Sequence, residues 1–366
     1  MVTPLLDNVD KINAVDKSGM LNFCVNSSKH YNEATEISKK IIVNYPKPNN
    51  IIVAGMGGSA IGGDLLKDWV RNKLTTPIEV NREYHLPAYV SKKTLVLITS
   101  YSGDTEESLS AFLDALKRKC MIYCVSSGGA LLEYAEKHNV PYLRVPGGMP
   151  PRAALPYLFI PLLVYLERAG LAKGVSEELN EALTLLEKIS KDNAPQKPAK
   201  QNYSKTLALN IAQTVPVVYG FGVFRSVAQR IKQQFNENSK VPAKWEFFPE
   251  LNHNEVVGWE NKGDFGKCFS VIFIRDKEEP IEIKSRIETT KQIMSKAGLK
   301  MFDLQAMGKS VLSKMLSTIV IGDFTTNYLA VLRGVDPTPV ENINHLKDTL
   351  KKNGVKEKII GELKKI

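Results

Sequence analysis

Cysteine is scarce in this chain. Four residues, Cys24, Cys120, Cys124 and Cys268, stand among 366. They form no CxxC pair and have no flanking histidine, which excludes zinc or redox spacing and a disulfide scaffold. Cys120 and Cys124 flank Met-Ile-Tyr in an apolar run and read as buried thiols. A bilayer-length apolar run is also lacking. The longest, Ala153 to Leu166 (AALPYLFIPLLVYL), is too short and carries two prolines, so it reads as a core helix. No signal peptide opens the sequence, and with the unpaired cysteines this leads us to expect a reducing cytoplasm and no membrane partner. Histidine is sparse too, with five residues. A His/Glu ligand cluster is missing, so the spacing gives no metal site.

What is present is ordinary for a globular protein. Hydrophobic residues make up 43% and charged residues 24%, which excludes a disordered or collagen-like chain. At about 150 residues per domain the length suggests roughly two domains. The net charge of +10 reads as a lysine-rich surface. Part of the excess lies in the tail, where Lys347, Lys351, Lys352, Lys356, Lys358, Lys364 and Lys365 face Asp348, Glu357 and Glu362. That pattern is the solvated side of a helix pair rather than a base-reading surface, so no nucleic-acid partner is expected.

Short apolar runs alternate with helix-length segments along the first half. The runs are Ile51–Ala54, Ile78–Val80, Thr94–Thr99, Met121–Val125 and Tyr142–Val145. Helices are expected near Ala60–Asn72, Thr105–Arg118 and Gly129–His138. This alternation predicts an α/β fold with a parallel sheet covered on both faces. Pro146–Pro151 (PGGMPP) is a hard break, after which helices are expected over Arg152–Ala169, Ser176–Ser190 and about Tyr203–Gln213. The polar stretch Lys191–Lys200 reads as a linker. The grammar then repeats: Val215–Gly220 runs into Gly-Phe-Gly, a helix follows to Asn238, and further strands are expected at Ser270–Ile274 and Lys300–Gln305. Helices are expected over Lys284–Lys296 and Val311–Leu332. The expected division is 1–50 helical, 51–150 first lobe, 151–200 helical connector, and 201–366 second lobe with C-terminal helices.

Two turns carry the chemistry. The first is Gly55-Met56-Gly57-Gly58-Ser59-Ala60-Ile61-Gly62-Gly63, directly after a strand and opening a helix. Its glycines permit tight turns, and the helix N-terminus attracts an anion. The second is Thr99-Ser100-Tyr101-Ser102-Gly103-Asp104-Thr105, again between strand and helix. Its hydroxyls, backbone N–H groups and helix N-terminus together suit a phosphate monoester. It holds no Lys or Arg, so affinity would rest on hydrogen bonds and the dipole. Taken alone, the first turn also reads as a packing turn and the second as a helix cap with Glu107 in its first turn. Two such turns on one sheet favour phosphate.

GMGGSAIGGDLL and TSYSGDTEESL resemble the two signatures of the sugar isomerase (SIS) domain, a flavodoxin-like phosphosugar-binding fold usually present as two lobes. FNENSKVPAKWEFFPELNHNE (Phe235–Glu255) and GVDPTPVENINHLK (Gly334–Lys347) narrow the resemblance to bifunctional phosphoglucose/phosphomannose isomerases, from about residue 20 to the end. The resemblance implies isomerisation of glucose 6-phosphate and mannose 6-phosphate to fructose 6-phosphate through an enediolate, with neither a metal nor a cofactor. It implies Glu237 as the proton carrier, His253 in ring opening, Arg152 beside the enediolate charge and Lys347 assisting ring opening. Gly58, Ser59, Ser100, Ser102 and Thr105 match the phosphate positions. It further implies a homodimer in which His253 comes from the neighbouring subunit. Glu250 and Glu255 are rival carboxylates read as structural. The second lobe's Tyr219-Gly220-Phe221-Gly222 lacks the serines and is expected to shape the sugar pocket instead.

Three other readings compete. A phosphosugar-sensing regulator would carry a DNA-binding segment of about eighty residues, whereas about fifty precede the first lobe and hold few basic clusters. An amino-sugar synthase half needs an N-terminal cysteine, and Cys24 lies too far in. A catalytically silent phosphosugar-binding protein is opposed by Glu237 and His253.

Overall fold

A computed structural model describes residues 5–260 and 264–366. Helices α1 (Val9–Val15), α2 (Met20–Val25) and α3 (Ser27–Ser38) precede β1 (Asn50–Ala54) and α4 (Gly58–Val70). Then come β2 (Ile78–Asn81), β3 (Thr94–Thr99), α5 (Glu106–Lys117), β4 (Met121–Ser126), α6 (Gly129–Lys137), β5 (Tyr142–Arg144) and α7 (Leu155–Arg168). Next are α8 (Val175–Asp192), α9 (Tyr203–Ile211), β6 (Val215–Phe221), α10 (Phe224–Glu237) and β7 (Lys244–Phe248). The chain ends with β8 (Phe269–Arg275), α11 (Ile281–Ser295), β9 (Lys300–Gln305), α12 (Val311–Leu332), α13 (Glu341–Lys351) and α14 (Val355–Leu363).

Two compact units divide these elements. The first lobe comprises Lys29–Ser176 with Val340–Ile366, and the second comprises the residues up to Ser28 with Glu177–Pro339. In the first lobe five parallel strands lie in the order β2-β1-β3-β4-β5. Every residue of β3 and β4 is buried, as expected of apolar runs in a parallel sheet covered on both sides. In α7 the residues Leu155–Leu166 are buried, so the longest apolar run is a core helix.

Among the described residues the second lobe holds four parallel strands in the order β7-β6-β8-β9. Its strands therefore repeat the first lobe's order, without the fifth. The core is built around α12, which is apolar on all sides and buried along most of its length. By length and composition α12 is apolar enough to cross a membrane, but it packs inside this lobe. The expected α/β fold with two helix-covered parallel sheets is what the structure has.

Four expectations change. The C-terminal helices were grouped with the second lobe, but Val340–Ile366 belongs to the first. The physical reason is apolar burial, since Ile359 and Leu363 of α14 join the core that contains Leu109, Phe112 and Leu131. Arg152 lies in a turn, and the helix begins at Leu155, where Pro156 fits the first turn. The stretch read as a linker is tied down, because buried Lys205 Nζ donates to Pro195 O and Lys197 O at 2.7 Å each. Finally, β7 is a strand that sequence reasoning did not separate from its motif.

Candidate active site

In an open parallel sheet the ligand crevice lies outside the strand C-termini, where the strand order reverses. In the first lobe that point falls between β1 and β3. The two turns singled out by sequence leave the sheet there. Gly57 (φ +51°) turns the chain into α4 in a conformation that favours glycine. Gly55 permits close approach, because a Cβ there would stand 2.7 Å from Thr99 Oγ1. The turns are bonded to each other: Tyr101 N donates to Ser59 Oγ at 3.1 Å, and Thr99 Oγ1 donates to Ser59 O at 2.8 Å.

Within the second turn the buried Ser100 hydroxyl donates to Thr105 Oγ1 at 3.2 Å and accepts from Gly103 N at 3.2 Å. Ser102 is exposed and accepts from Asp104 N at 3.3 Å. Thr105 is the extended residue before α5, and its hydroxyl is directed to Ser100 rather than to its own helix. Two helix N-termini thus open on one crevice beside a cluster of hydroxyls, an arrangement suited to a phosphate dianion. Arg152 is buried, and its turn packs against the start of α4: a Cβ on Gly58 would lie 3.1 Å from Pro151 O and 3.3 Å from Arg152 Cα. The structure therefore brings Gly58, Ser59, Ser100, Ser102, Thr105 and Arg152 to one edge of the first lobe.

Tyr101 is the residue that sequence reasoning missed. Its hydroxyl donates to Pro146 O at 3.0 Å and accepts from Met149 N at 3.0 Å, and its carbonyl accepts from Ser127 N at 3.0 Å and Ser127 Oγ at 2.6 Å. It joins both turns to the loop that delivers Arg152. The signal available was an aromatic residue set between two serines in a polar turn. A cation also stands near: Lys356 of α14 pairs with Asp104 at 2.8 Å. The turn itself has no Lys or Arg, yet the fold supplies one beside it. Lys347 is on α13, which is exposed along its length.

In the second lobe the reversal point lies between β6 and β8. Where the first lobe offers hydroxyls, this lobe carries Asp276, Glu278 and Glu279 in ion pairs. Lys314 meets Asp276 at 2.9 Å and Glu278 at 2.6 Å, and Arg275 pairs with Glu279 and, at 2.7 Å, with Glu288.

Glu237 and His253 lie at opposite edges of the second lobe. Glu237 ends α10, which runs back from the C-terminal end of β6, so it sits by the strand N-termini. His253 ends a short 3-10 turn (Glu250–His253) just beyond the C-terminus of β7, and it is exposed. The segment around it forms a pair of such turns, the second being Glu255–Trp259. Five strand residues at about 3.3 Å each put roughly 17 Å between the two edges. The Glu237 end is held by Asn238 Nδ2, which donates to Thr326 Oγ1 at 3.0 Å, and by Ser239 Oγ, which donates to Thr326 O at 2.6 Å.

The rival carboxylates have structural partners. Glu250 Oε1 accepts from Asn254 Nδ2 at 2.8 Å. Glu255 accepts from Tyr219 OH at 2.7 Å, pairs with Lys244, and shares that phenol with Trp259 Nε1 at 3.1 Å. Burial beside Glu255 pushes the Tyr219 phenol far above its usual range, so it stays a donor. The second lobe also has a cavity of about 970 Å³ at the ends of β8 and β9, lined by Tyr203, Asp276, Asp303 and Lys309 among others. Glu237 and His253 lie elsewhere. Among the described residues no three His, Cys, Asp or Glu side chains are grouped so as to hold a metal ion.

Two parallel-sheet lobes of one strand order, with hydroxyl-rich turns at one reversal point, define tandem SIS lobes. Residues 200–350 match the family described as bacterial phospho-glucose isomerase C-terminal SIS domain. The chain is 39% identical over 334 residues to a bifunctional phosphoglucose/phosphomannose isomerase of Caldicellulosiruptor bescii, covering 90% of this chain and 98% of that one. It is 34% identical to the protein of the same description from Aquifex aeolicus, covering 83% of this chain and 91% of that one. A solved structure, a hypothetical protein from Thermus thermophilus, matches with a TM-score of 0.75 at 16% identity, covering 96% and 94% of the two chains, and shows the shared fold. The chain belongs to the bifunctional phosphoglucose/phosphomannose isomerase family.

Proposed function

We propose that the protein isomerises glucose 6-phosphate and mannose 6-phosphate to fructose 6-phosphate through an enediolate, without a metal, as a cytoplasmic homodimer. The observation that carries this reading is the pair of bonded hydroxyl turns at the first lobe's reversal point, in a chain of this family. Phosphate is held by Ser59, Ser100, Ser102, Thr105 and the two helix N-termini, with Gly58 giving the backbone close access. Arg152 stabilises the enediolate charge as a fixed, buried cation. Glu237 carries the proton between C2 and C1, while His253 and Lys347 open the ring. The acidic turn of the second lobe supports a single phosphate site per chain. The free thiols of all four cysteines support a reducing location. Formation of fructose 6-phosphate from each aldose, assayed with EDTA present, tests the reading. No product from either sugar overturns it, and loss of product with EDTA overturns the metal-free step.

Two smaller effects follow from the phosphate turn. A hydrogen bond to a charged acceptor is worth about 1.5–3 kcal/mol. Ser102→Ala should therefore raise KM for glucose 6-phosphate by roughly tenfold or more, and an unchanged KM in a folded variant removes Ser102 from the phosphate site. Lys356→Ala leaves Asp104 uncompensated beside the incoming dianion. An exposed pair contributes about 0.2–1 kcal/mol, so KM should rise roughly 1.5- to 5-fold at low salt and converge on the parent value as salt increases. Steady-state kinetics at two ionic strengths reads this directly.

A further inference from the structure

Three residues other than glycine have a left-handed backbone among the described residues: Lys119, Asn139 and Lys240. Each follows a helix end, the position where glycine is normally found. At Lys240 (φ +53°) the chain leaves α10, and Val241 N returns to Phe235 O at 3.3 Å, closing the helix terminus. Lys240 differs from the other two in what its side chain does. Its ammonium donates to the Glu237 carbonyl and, at 3.0 Å, to the Pro337 carbonyl. Pro337 lies in a turn that is itself fixed: Asp336 Oδ1 accepts from Thr338 N at 2.9 Å, and Asp336 Oδ2 accepts from Ser18 Oγ at 3.2 Å. Asn238 and Ser239 hold the same helix end to Thr326 on α12. The main chain of Glu237 is thus secured from two directions, by α12 and, through Lys240, by the Asp336–Thr338 turn.

We propose that Lys240 is a positioning residue, whose ammonium, bridging the Glu237 and Pro337 carbonyls, fixes the end of α10 from which the Glu237 carboxylate acts. The role rests on Glu237 being the proton carrier. A cation also suits this place electrostatically, because the carbonyl end of a helix is its negative end.

The backbone makes the role testable without loss of fold. Glycine is the residue the left-handed position favours, so Lys240→Gly removes the bridge while relieving the main chain. Its Tm should stay close to the parent's, the relieved backbone offsetting the lost hydrogen bonds, while kcat for glucose 6-phosphate falls about tenfold with KM within twofold, the scale expected of a slightly misplaced catalytic group. Lys240→Arg, which can still donate to both carbonyls, should recover most of that loss. Lys119→Gly makes the same backbone change after α5 and should leave kcat unaltered. In a Glu237→Gln background Lys240→Gly should cost nothing further. Parental kcat in Lys240→Gly, or a second tenfold loss on top of Glu237→Gln, would each overturn the proposal. If Glu237→Gln itself turns over at the parental rate, the base is misassigned and the positioning role falls with it. An inactive Glu237→Gln beside a fully active Lys240→Gly overturns the role of Lys240 alone.

Discussion

Glu237→Gln should lower kcat by about 10²–10⁴-fold with little change in KM, the range that general-base catalysis contributes. Glutamine keeps the shape and most hydrogen bonds of glutamate but takes up no proton. Its backbone anchors, Asn238 and Ser239 on Thr326, do not involve the carboxylate, so the helix end should stay in place. Exchange of the C2 proton with solvent should fall in parallel with turnover. Glu250→Gln and Glu255→Gln should each cost far less turnover, because their oxygens are engaged by Asn254 and by Tyr219 with Lys244. If one of them abolishes proton exchange while Glu237→Gln does not, the base has been misplaced within this segment.

Mixing inactive Glu237→Gln and His253→Ala dimers under subunit exchange should restore activity from nothing to about a quarter of the parental level. Random mixing makes half of the dimers hybrid, and each hybrid contains one site with both residues intact. The geometry motivating this is that Glu237 and His253 lie at opposite edges of one lobe, with His253 exposed beyond β7. With the length of β7 between the end of α10 and the turn that carries His253, the histidine is expected to serve a neighbour's site rather than its own. Size-exclusion chromatography and a tagged-subunit exchange assay establish that hybrids form. With hybrids present and no activity regained, His253 works within its own chain or is dispensable.

The strands buried on both faces were legible because nothing but a covered parallel sheet accommodates runs such as Thr94–Thr99 and Met121–Ser126. The ends of α12 were legible from local signals: Ser310 caps its first turn, no proline interrupts the stretch, and Gly334 follows its end. The two turns at the first lobe's reversal point announced themselves through glycines and hydroxyls at strand-to-helix junctions. By contrast, β7 is the edge strand beside β6 among the described residues, and its half-buried Trp245, Glu246 and Phe247 give no alternation to read. Tyr101 escaped notice because its importance lies in contacts with residues more than forty positions away. The placement of α14 was hidden for the same reason, since Ile359 and Leu363 would mark the inner face of any short helix. The separation of Glu237 from His253 was invisible in one dimension, where sixteen positions part them. It needed the reversal of direction between α10 and β7.

The chain passes from one lobe to the other three times, after Ser28, Ser176 and Pro339. This interleaving bears on how the protein is made. The last strand of the first lobe leaves the ribosome about two hundred residues before α14, which completes that lobe's core. At roughly 5–20 residues per second the delay is on the order of 10–40 s. During that interval the α5–α6 face that Ile359 and Leu363 will cover stays open, so the core of the first lobe closes only after the whole second lobe has been synthesised. A nascent chain stalled before residue 355 would present that apolar face to chaperones, and emergence of α14 would withdraw it.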